Sequence, residues 1–509
     1  MKKKILVINL TRFGDLIQTQ PLISLLTKKE HAEVGLCCLE NFSEVACFLK
    51  DISNIYPFPG GLILSHLDDL HQNKWPFAFK VLLDFVQTIK EEFSPSEVIN
   101  LTPSLPARLL TLLLTQKARG FLLDKFGFGL YSNDWAAFLQ ASSAFRNCSP
   151  LNLVDLNIGI ADNKRTYFSP LKLQAPFFSE VKRWKNKLEN TVYHSQFIGF
   201  QLGASDNKRR WPLDYFVQLG RICYQKLDYV PVLVGSKSEI ELGNRFAQKA
   251  DFPYVNLIGK TSLKDLGSIL KIIKFLITND TGTMHLAAGL KTRVIAIFLA
   301  TAQAWDTGPY LENSICLEPN LNCHPCSFKF KCTNYICRKK ITPDVVFKFI
   351  KKFDIENIRV NSVRAYRTCF KNNFYSLNKL STTDTRFYFM KFSQEIYLSF
   401  LLNRKLICIE NIKINYRDEL KNELKEIVSY FLIFKEYLNM IRSSSLFFKQ
   451  QKVYKIYNKL NMVLDKSKFF SPLYHLWLIH SQQNSKGIES LLSITDRYFS
   501  FWNTVLNKI

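Results

Sequence analysis

Residues 197–203, FIGFQLG, open the stretch that decides the fold. An apolar run of strand length ends on glycine, and a helical pattern follows over 213–226. The unit then repeats. YVPVLVG (229–235) precedes a helical stretch at 237–249, and YVNLIG (254–259) precedes one at 262–272. KFLITND (274–280) leads into a helix from about 283, and RVIAIFL (293–299) closes the series. Strands alternating with helices build right-handed βαβ units and a parallel sheet. Working back, KILVINL (4–10), EVGLCCL (33–39) and SEVINL (96–101) read as strands of an earlier, less regular series. Helical patterns accompany it at 15–28 and 106–114. The pattern weakens over 120–195, and a linker is expected between 165 and 195. The reading is α/β: two facing Rossmann-like domains, at 1–180 and 190–345. In such sheets ligands sit beyond the carboxyl ends of the strands.

Working forward, the character of the chain changes. Of 19 glycines, only Gly487 lies beyond residue 340. Residues 341–509 carry 27 Lys/Arg and 14 Asp/Glu, so about half of the net charge of +25 lies there. Few glycines and periodic apolar residues, as in LKNELKEIVSYFLIFKEYL (420–438), predict a mostly α-helical basic extension over 350–509. Its plain reading is helices with one buried face. The alternative is an amphipathic surface resting on anionic lipid headgroups.

Composition bounds the rest. With 509 residues, 47% apolar and 22% charged, the chain is neither disordered nor fibrous. The basic excess calls for an anionic partner: nucleic acid, a membrane surface or a phosphorylated substrate. No recognition-helix, RNP or finger spacing supports nucleic acid, which becomes the least favoured. No run of about 18 apolar residues predicts a membrane span. Residues 5–10 are too short for a signal peptide, so a cytoplasmic protein is expected.

The unusual polar clusters follow strands. After the first strand come Arg12, Gly14 and Asp15. Asp15 is read either as a helix cap or as a carboxylate placed to take a proton from a hydroxyl. After 197–202 come Gly203 and the cations Lys208, Arg209 and Arg210, just before Trp211-Pro212. They suit a diphosphate clamp better than a solvated loop. Glu239 follows another Gly-turned strand and suits ribose hydroxyls. Asp280, Thr281 and Gly282 open a helix whose free N–H groups offer an anion site. His285, on that helix among apolar neighbours, reads first as a core histidine. Cys323, Cys326, Cys332 and Cys337 follow the last strands. Their spacing offers ligands for a structural Zn²⁺ or an iron–sulfur cluster, with a disulfide or free thiols as alternatives.

These motifs carry a resemblance. RFGDLIQTQPLISLL (12–26), GASDNKRRWPLDYF (203–216), VLVGSKSEIE (232–241), LIGKTSLKDLGSIL (257–270), NDTGTMHLAAGL (279–290) and TGPY (307–310) resemble glycosyltransferase family 9, the ADP-heptose:lipopolysaccharide heptosyltransferases. The resemblance covers about two thirds of the chain and implies a GT-B architecture. It also implies inverting transfer of heptose from ADP-heptose to a lipopolysaccharide core acceptor, with no catalytic cofactor. Asp15 falls on the family's base, with Arg12 and Gly14 on the acceptor side. Arg209, with Lys208 beside it, falls on the diphosphate clamp. Gly203, Glu239, Asp280, Thr281, Gly282 and His285 fall on donor-binding positions. A lipid-linked acceptor implies a peripheral enzyme on the anionic inner face of the bacterial inner membrane. One departure concerns the donor: Leu299-Ala300-Thr301 stands where the family often has Gly-Pro-Thr. A different nucleotide-sugar on the same fold is therefore the alternative.

Overall fold

A computed structural model describes residues 2–67, 75–327, 332–354, 360–381, 384–406, 417–443, 450–467, 469–483 and 487–509. The first sheet holds β1 (Lys4–Asn9), β2 (Glu33–Leu39), β3 (Asn54–Phe58), β4 (Glu97–Asn100), β5 (Ala118–Leu123) and β6 (Gly129–Tyr131). Their order is β3-β2-β1-β4-β5-β6, parallel apart from the β5–β6 hairpin. The second sheet holds β7 (Phe197–Gln201), β8 (Val230–Val234), β9 (Val255–Asn256), β10 (Phe275–Asn279), β11 (Arg293–Ile297), β12 (Ile315–Pro319), β13 (Val363–Lys371) and β14 (Phe374–Lys379). Their order is β14-β13-β12-β11-β10-β7-β8-β9. β1, β7 and β10 are buried almost throughout, as strands covered by helices on both faces must be. The order of each sheet reverses beside its first strand, β1 in one and β7 in the other. The ligand crevice therefore opens beside Asp15 in the first domain and between Gly203 and Asp280 in the second.

The expected linker is in part a helix. Residues 163–177 run without regular structure, and helix Phe178–Val192 then packs on helix Leu263–Ile272 of the second domain. Trp184 Nε1 donates to Asp265 Oδ1 at 2.7 Å across that contact.

The extension is mostly helical, as expected, but it opens with two strands: β13 and β14 pair antiparallel with the second sheet and cover the edge of β12. The turn between them is Asn372-Asn373, with φ of 50° and 67°. Asparagine supplies there the left-handed backbone usually given by glycine, so a scarcity of glycine did not mean a scarcity of turns. Over 420–438 the plain reading of a helix with one buried face agrees with the structure. In helix Arg417–Arg442 the apolar residues Leu420, Leu424, Ile427, Phe431, Phe434 and Leu438 are buried inside the module. They face helices Gln450–Asp465 and Ile488–Lys508.

The extension is docked on both domains. Helix Ser471–Gln483 lies along helix Asp134–Ser143 of the first domain. There Asp134 accepts from Arg497, and His480 Nε2 lies 3.3 Å from its other oxygen. A buried hub joins all three parts. Asp155 accepts from Arg165 Nη2 (2.6 Å), from the Tyr310 hydroxyl (2.9 Å) and from the Tyr375 N–H (2.9 Å).

Candidate active site

Asp15 is positioned by a buried asparagine. Asn9, the last residue of β1, donates to Thr19 Oγ1 at 2.6 Å and to the Asp15 carbonyl at 3.3 Å. That staples the short helix Phe13–Ile17 across the strand end. Arg12, not Asp15, occupies the N-cap position, which corrects the capping reading. The Asp15 side chain instead lines a cavity of about 580 Å³ between the domains. Burial pushes its pKa up, and the Asp280 carboxylate opposite pushes the same way. A backbone N–H of Arg12 and the charges of Arg12 and Arg146 oppose them.

The second domain brings its motifs to the same cavity. Asn279 ends β10, and its Nδ2 donates to the Leu202 and Gly203 carbonyls at 3.1 and 3.0 Å. Its Oδ1 accepts from the Trp211 N–H at 2.9 Å. One buried amide thus holds both ends of the loop that carries the cations. Within it, Asp206 caps a 3-10 turn by accepting from the Lys208 N–H. Arg209 reaches back to Asp280, Nη1 to Oδ2 at 3.1 Å, and its other nitrogen donates to Ser205 Oγ. The clamp cation and the sugar-side aspartate therefore hold each other. Lys208 faces an adjoining cavity of about 430 Å³, shared with Arg12, Arg146 and Arg209.

Glu239 lines a third cavity of about 580 Å³, which meets the first at Thr281 and Gly282. It accepts from the Ser236 N–H at 2.7 Å and from Gln201 Nε2 at 3.1 Å. Gly203 lies so close that a Cβ there would run into this carboxylate. A Cβ at Gly282 would likewise enter the Phe13 ring of the opposite domain, so helix Gly282–Gly289 starts hard against the cleft. His285 is buried, and burial lowers its pKa to about 4, which keeps it neutral near pH 7. Its Nε2 lies 3.3 Å from Gln18 Nε2, a contact between the domains at the cavity wall.

Two site residues escaped sequence reading. Arg146, on a 3-10 turn of the first domain, pairs bidentately with Asp306 of the second, Nε–Oδ2 at 2.5 Å and Nη2–Oδ1 at 3.0 Å. Both line the main cavity. Arg146 lies in the stretch where the strand–helix pattern fades. No motif marks it, although Asp306 directly precedes TGPY.

Three of the four cysteines gather at the cationic cavity. Cys326, Cys332 and Cys337 border the cationic cavity, and all four thiols are free. Burial, with the neighbouring thiols, pushes Cys326 up to about 11. Among the described residues, no three or more His, Cys, Asp or Glu side chains are arranged to hold a metal ion. The expectation of a structural Zn²⁺ or iron–sulfur site is left without support.

Comparison with known proteins bears on the fold and on what the chain is similar to. Residues 164–335, about a third of the chain, match the profile described as Glycosyltransferase family 9 (heptosyltransferase). The lipooligosaccharide heptosyltransferase 2 of Campylobacter jejuni serotype O:2 is 30% identical over 199 residues, 37% of this chain and 62% of that protein. The lipopolysaccharide heptosyltransferase 2 of Escherichia coli K12 is 32% identical over 108 residues, 20% of this chain and 30% of that protein. The chain thus spans less than two thirds of the curated relatives it matches. Among solved structures, a family 9 glycosyl transferase of Veillonella parvula superposes with a TM-score of 0.55 at 19% identity, over 69% of this chain and 98% of that one. The E. coli ADP-heptose lps heptosyltransferase II superposes at 0.50 with 20% identity and the same coverage. The fold is GT-B, followed by an extension, and residues 164–335 carry the similarity to glycosyltransferase family 9, the heptosyltransferases.

Proposed function

We propose that this protein is an inverting glycosyltransferase that moves heptose from ADP-heptose to a lipopolysaccharide core acceptor. The observation that carries the reading is the cleft itself. One carboxylate from the first domain, Asp15, shares a cavity with a cation, Arg209, and a helix N-terminus at Thr281–Gly282 from the second. Direct displacement needs those parts: a base on the acceptor side and charge stabilisation on the leaving-group side. Asp15 takes the proton of the attacking hydroxyl. The new bond from that oxygen to the anomeric carbon forms as the bond to the diphosphate breaks, and ADP departs with the electron pair. Arg209, Lys208 and the free N–H groups at Thr281–Gly282 carry the developing diphosphate charge. Arrival of the donor exchanges the Asp280 partner of Arg209 for phosphate oxygens, which frees Asp280 for sugar hydroxyls. Glu239 and the serines around it hold the ribose. These residues need no catalytic metal to fill those roles.

The acceptor is lipid-linked, so the enzyme works against an anionic membrane surface. No helix among the described residues is long and apolar enough to cross a membrane. With the apolar face of helix Arg417–Arg442 turned inward, attraction to that surface rests on the positive charge of the extension. The test is Asp15→Asn. Transfer from ADP-heptose to a lipopolysaccharide core acceptor should fall by about 10²–10⁴ while ADP binding persists. Turnover near that of the unaltered protein would refute the base. A thermal-shift comparison of ADP-heptose with UDP- and GDP-sugars tests the donor, and a larger shift with either of the latter overturns it.

A further inference from the structure

Resting on the reading above, we infer that the C-terminal extension braces the acceptor-side wall of the active site from behind, with Arg386 and Gln394 as positioning residues for Arg146. Both lie on one helix, Thr385–Leu401. Arg386 Nη2 donates to the Asn147 carbonyl at 3.0 Å and to Gln303 Oε1 at 2.5 Å. Gln394 Nε2, two turns on, donates to the Pro150 carbonyl at 3.1 Å and to the Tyr375 carbonyl at 2.9 Å. The helix thus holds the turn that carries Arg146 at Asn147, next to Arg146, and just past its end at Pro150. Gln303 of the second domain closes the ring, since its Nε2 donates to the Arg146 and Ser149 carbonyls. Glu318, fully buried behind it, faces Arg386 Nη1 at 3.4 Å and accepts from the Ala304 N–H at 2.8 Å. That N–H lies two residues before Asp306, the partner of Arg146. One helix of the extension therefore sets both members of a cleft ion pair that joins the two domains.

The position matters for the reacting centre. The groups facing Asp15 are Arg12 on its own loop, Arg146 beside it, and Asp280 from the second domain. Arg209 is paired with Asp280, and His285 is neutral. Arg146 is one of two cations that hold down the pKa of the base, and Asp306, Asp280 and Asp15 keep it charged despite its burial. A fixed Arg146 gives Asp15 a fixed working range. If the turn drifts, Asp15 loses that cation.

The test uses the full chain with Arg386→Gln, Arg386→Lys and, as an independent probe of the same turn, Gln394→Met. Amide hydrogen exchange over 145–151 should quicken by roughly tenfold in Arg386→Gln and recover in part in Arg386→Lys, which can still reach the Asn147 carbonyl. The acid limb of the kcat/KM profile should move to higher pH in Arg386→Gln, while ADP affinity stays within about twofold. A general loss of stability would not move the limb. Unchanged exchange in both Arg386→Gln and Gln394→Met overturns the positioning role. Faster exchange with an unmoved acid limb overturns the link to Asp15. Failure of the base itself is seen separately, as full transfer by Asp15→Asn.

Discussion

The two walls of the cleft are built differently. The proposed donor wall comes from short runs at the ends of β7, β8 and β10, where each side chain lies within a few residues of its strand. The acceptor wall has one such run, after β1. Its other cation, Arg146, sits on a turn held by a helix some 240 residues away in sequence. A wall made of strand ends inherits its geometry from the sheet. A wall made of a turn must borrow it from whatever packs behind. The turn that carries Arg146 lies where strand–helix regularity fades, and there the extension packs behind it.

The largest effect expected from breaking this comparison is that of Asp15→Asn, the strand-end residue of the acceptor wall. Next comes the donor wall. Arg209→Ala should lower kcat by about 10²–10³, because it removes the leaving-group cation and leaves Asp280 without its ion-pair partner. Lys208→Ala should cost less, since Lys208 points into the adjoining cavity. If Lys208→Ala proves the more damaging in steady-state assays, the clamp has been assigned to the wrong neighbour.

The docking of the extension should weaken in acid. Burial alone would raise the Asp134 pKa, but hydrogen bonds and charge from His480 and Arg497 lower it from 3.8 to about 2. A carboxylate depressed in the folded state contributes stability at pH values above its unfolded pKa. That contribution, about 2 kcal/mol, is lost as pH falls from about 4 towards 2. Asp134→Asn should therefore flatten the acid side of a Tm-against-pH curve, and an unaltered curve would show that this contact does not hold the extension. The smallest effect is local. Gly203→Ala forces the Glu239 carboxylate aside, so ADP-ribose affinity should fall by about tenfold with little change in Tm. Calorimetric titration of ADP-ribose measures it, and unchanged affinity would remove Glu239 from the ribose site.

Much of the second domain was legible in the sequence because its strands are continuous apolar runs and its loops carry rare residue types. β7, β8 and β10 fall within a residue or two of their expected places. Less could be read of the first domain. β3 is only Asn54–Phe58 and contains a proline, and β6 has three residues, too few for a period to show. The β13–β14 hairpin was hidden by its Asn-Asn turn. Sequence patterns placed Asp15, Arg209, Glu239 and Asp280 at strand ends. They did not reveal that Arg209 and Asp280 pair, or that His285 is a neutral contact between the domains.

By itself the sequence determined what local physics can encode: the period of the strands, the glycine at Gly203, the run of cations at 208–210 and the helix opening at Gly282. Those depend on neighbours a few residues apart. Tertiary structure alone decided the rest, because the packed fold sets the distances between remote segments. Only there does Asn279 reach the Gly203 carbonyl, does Arg146 meet Asp306, and does a basic C-terminal module pack behind the turn that carries Arg146.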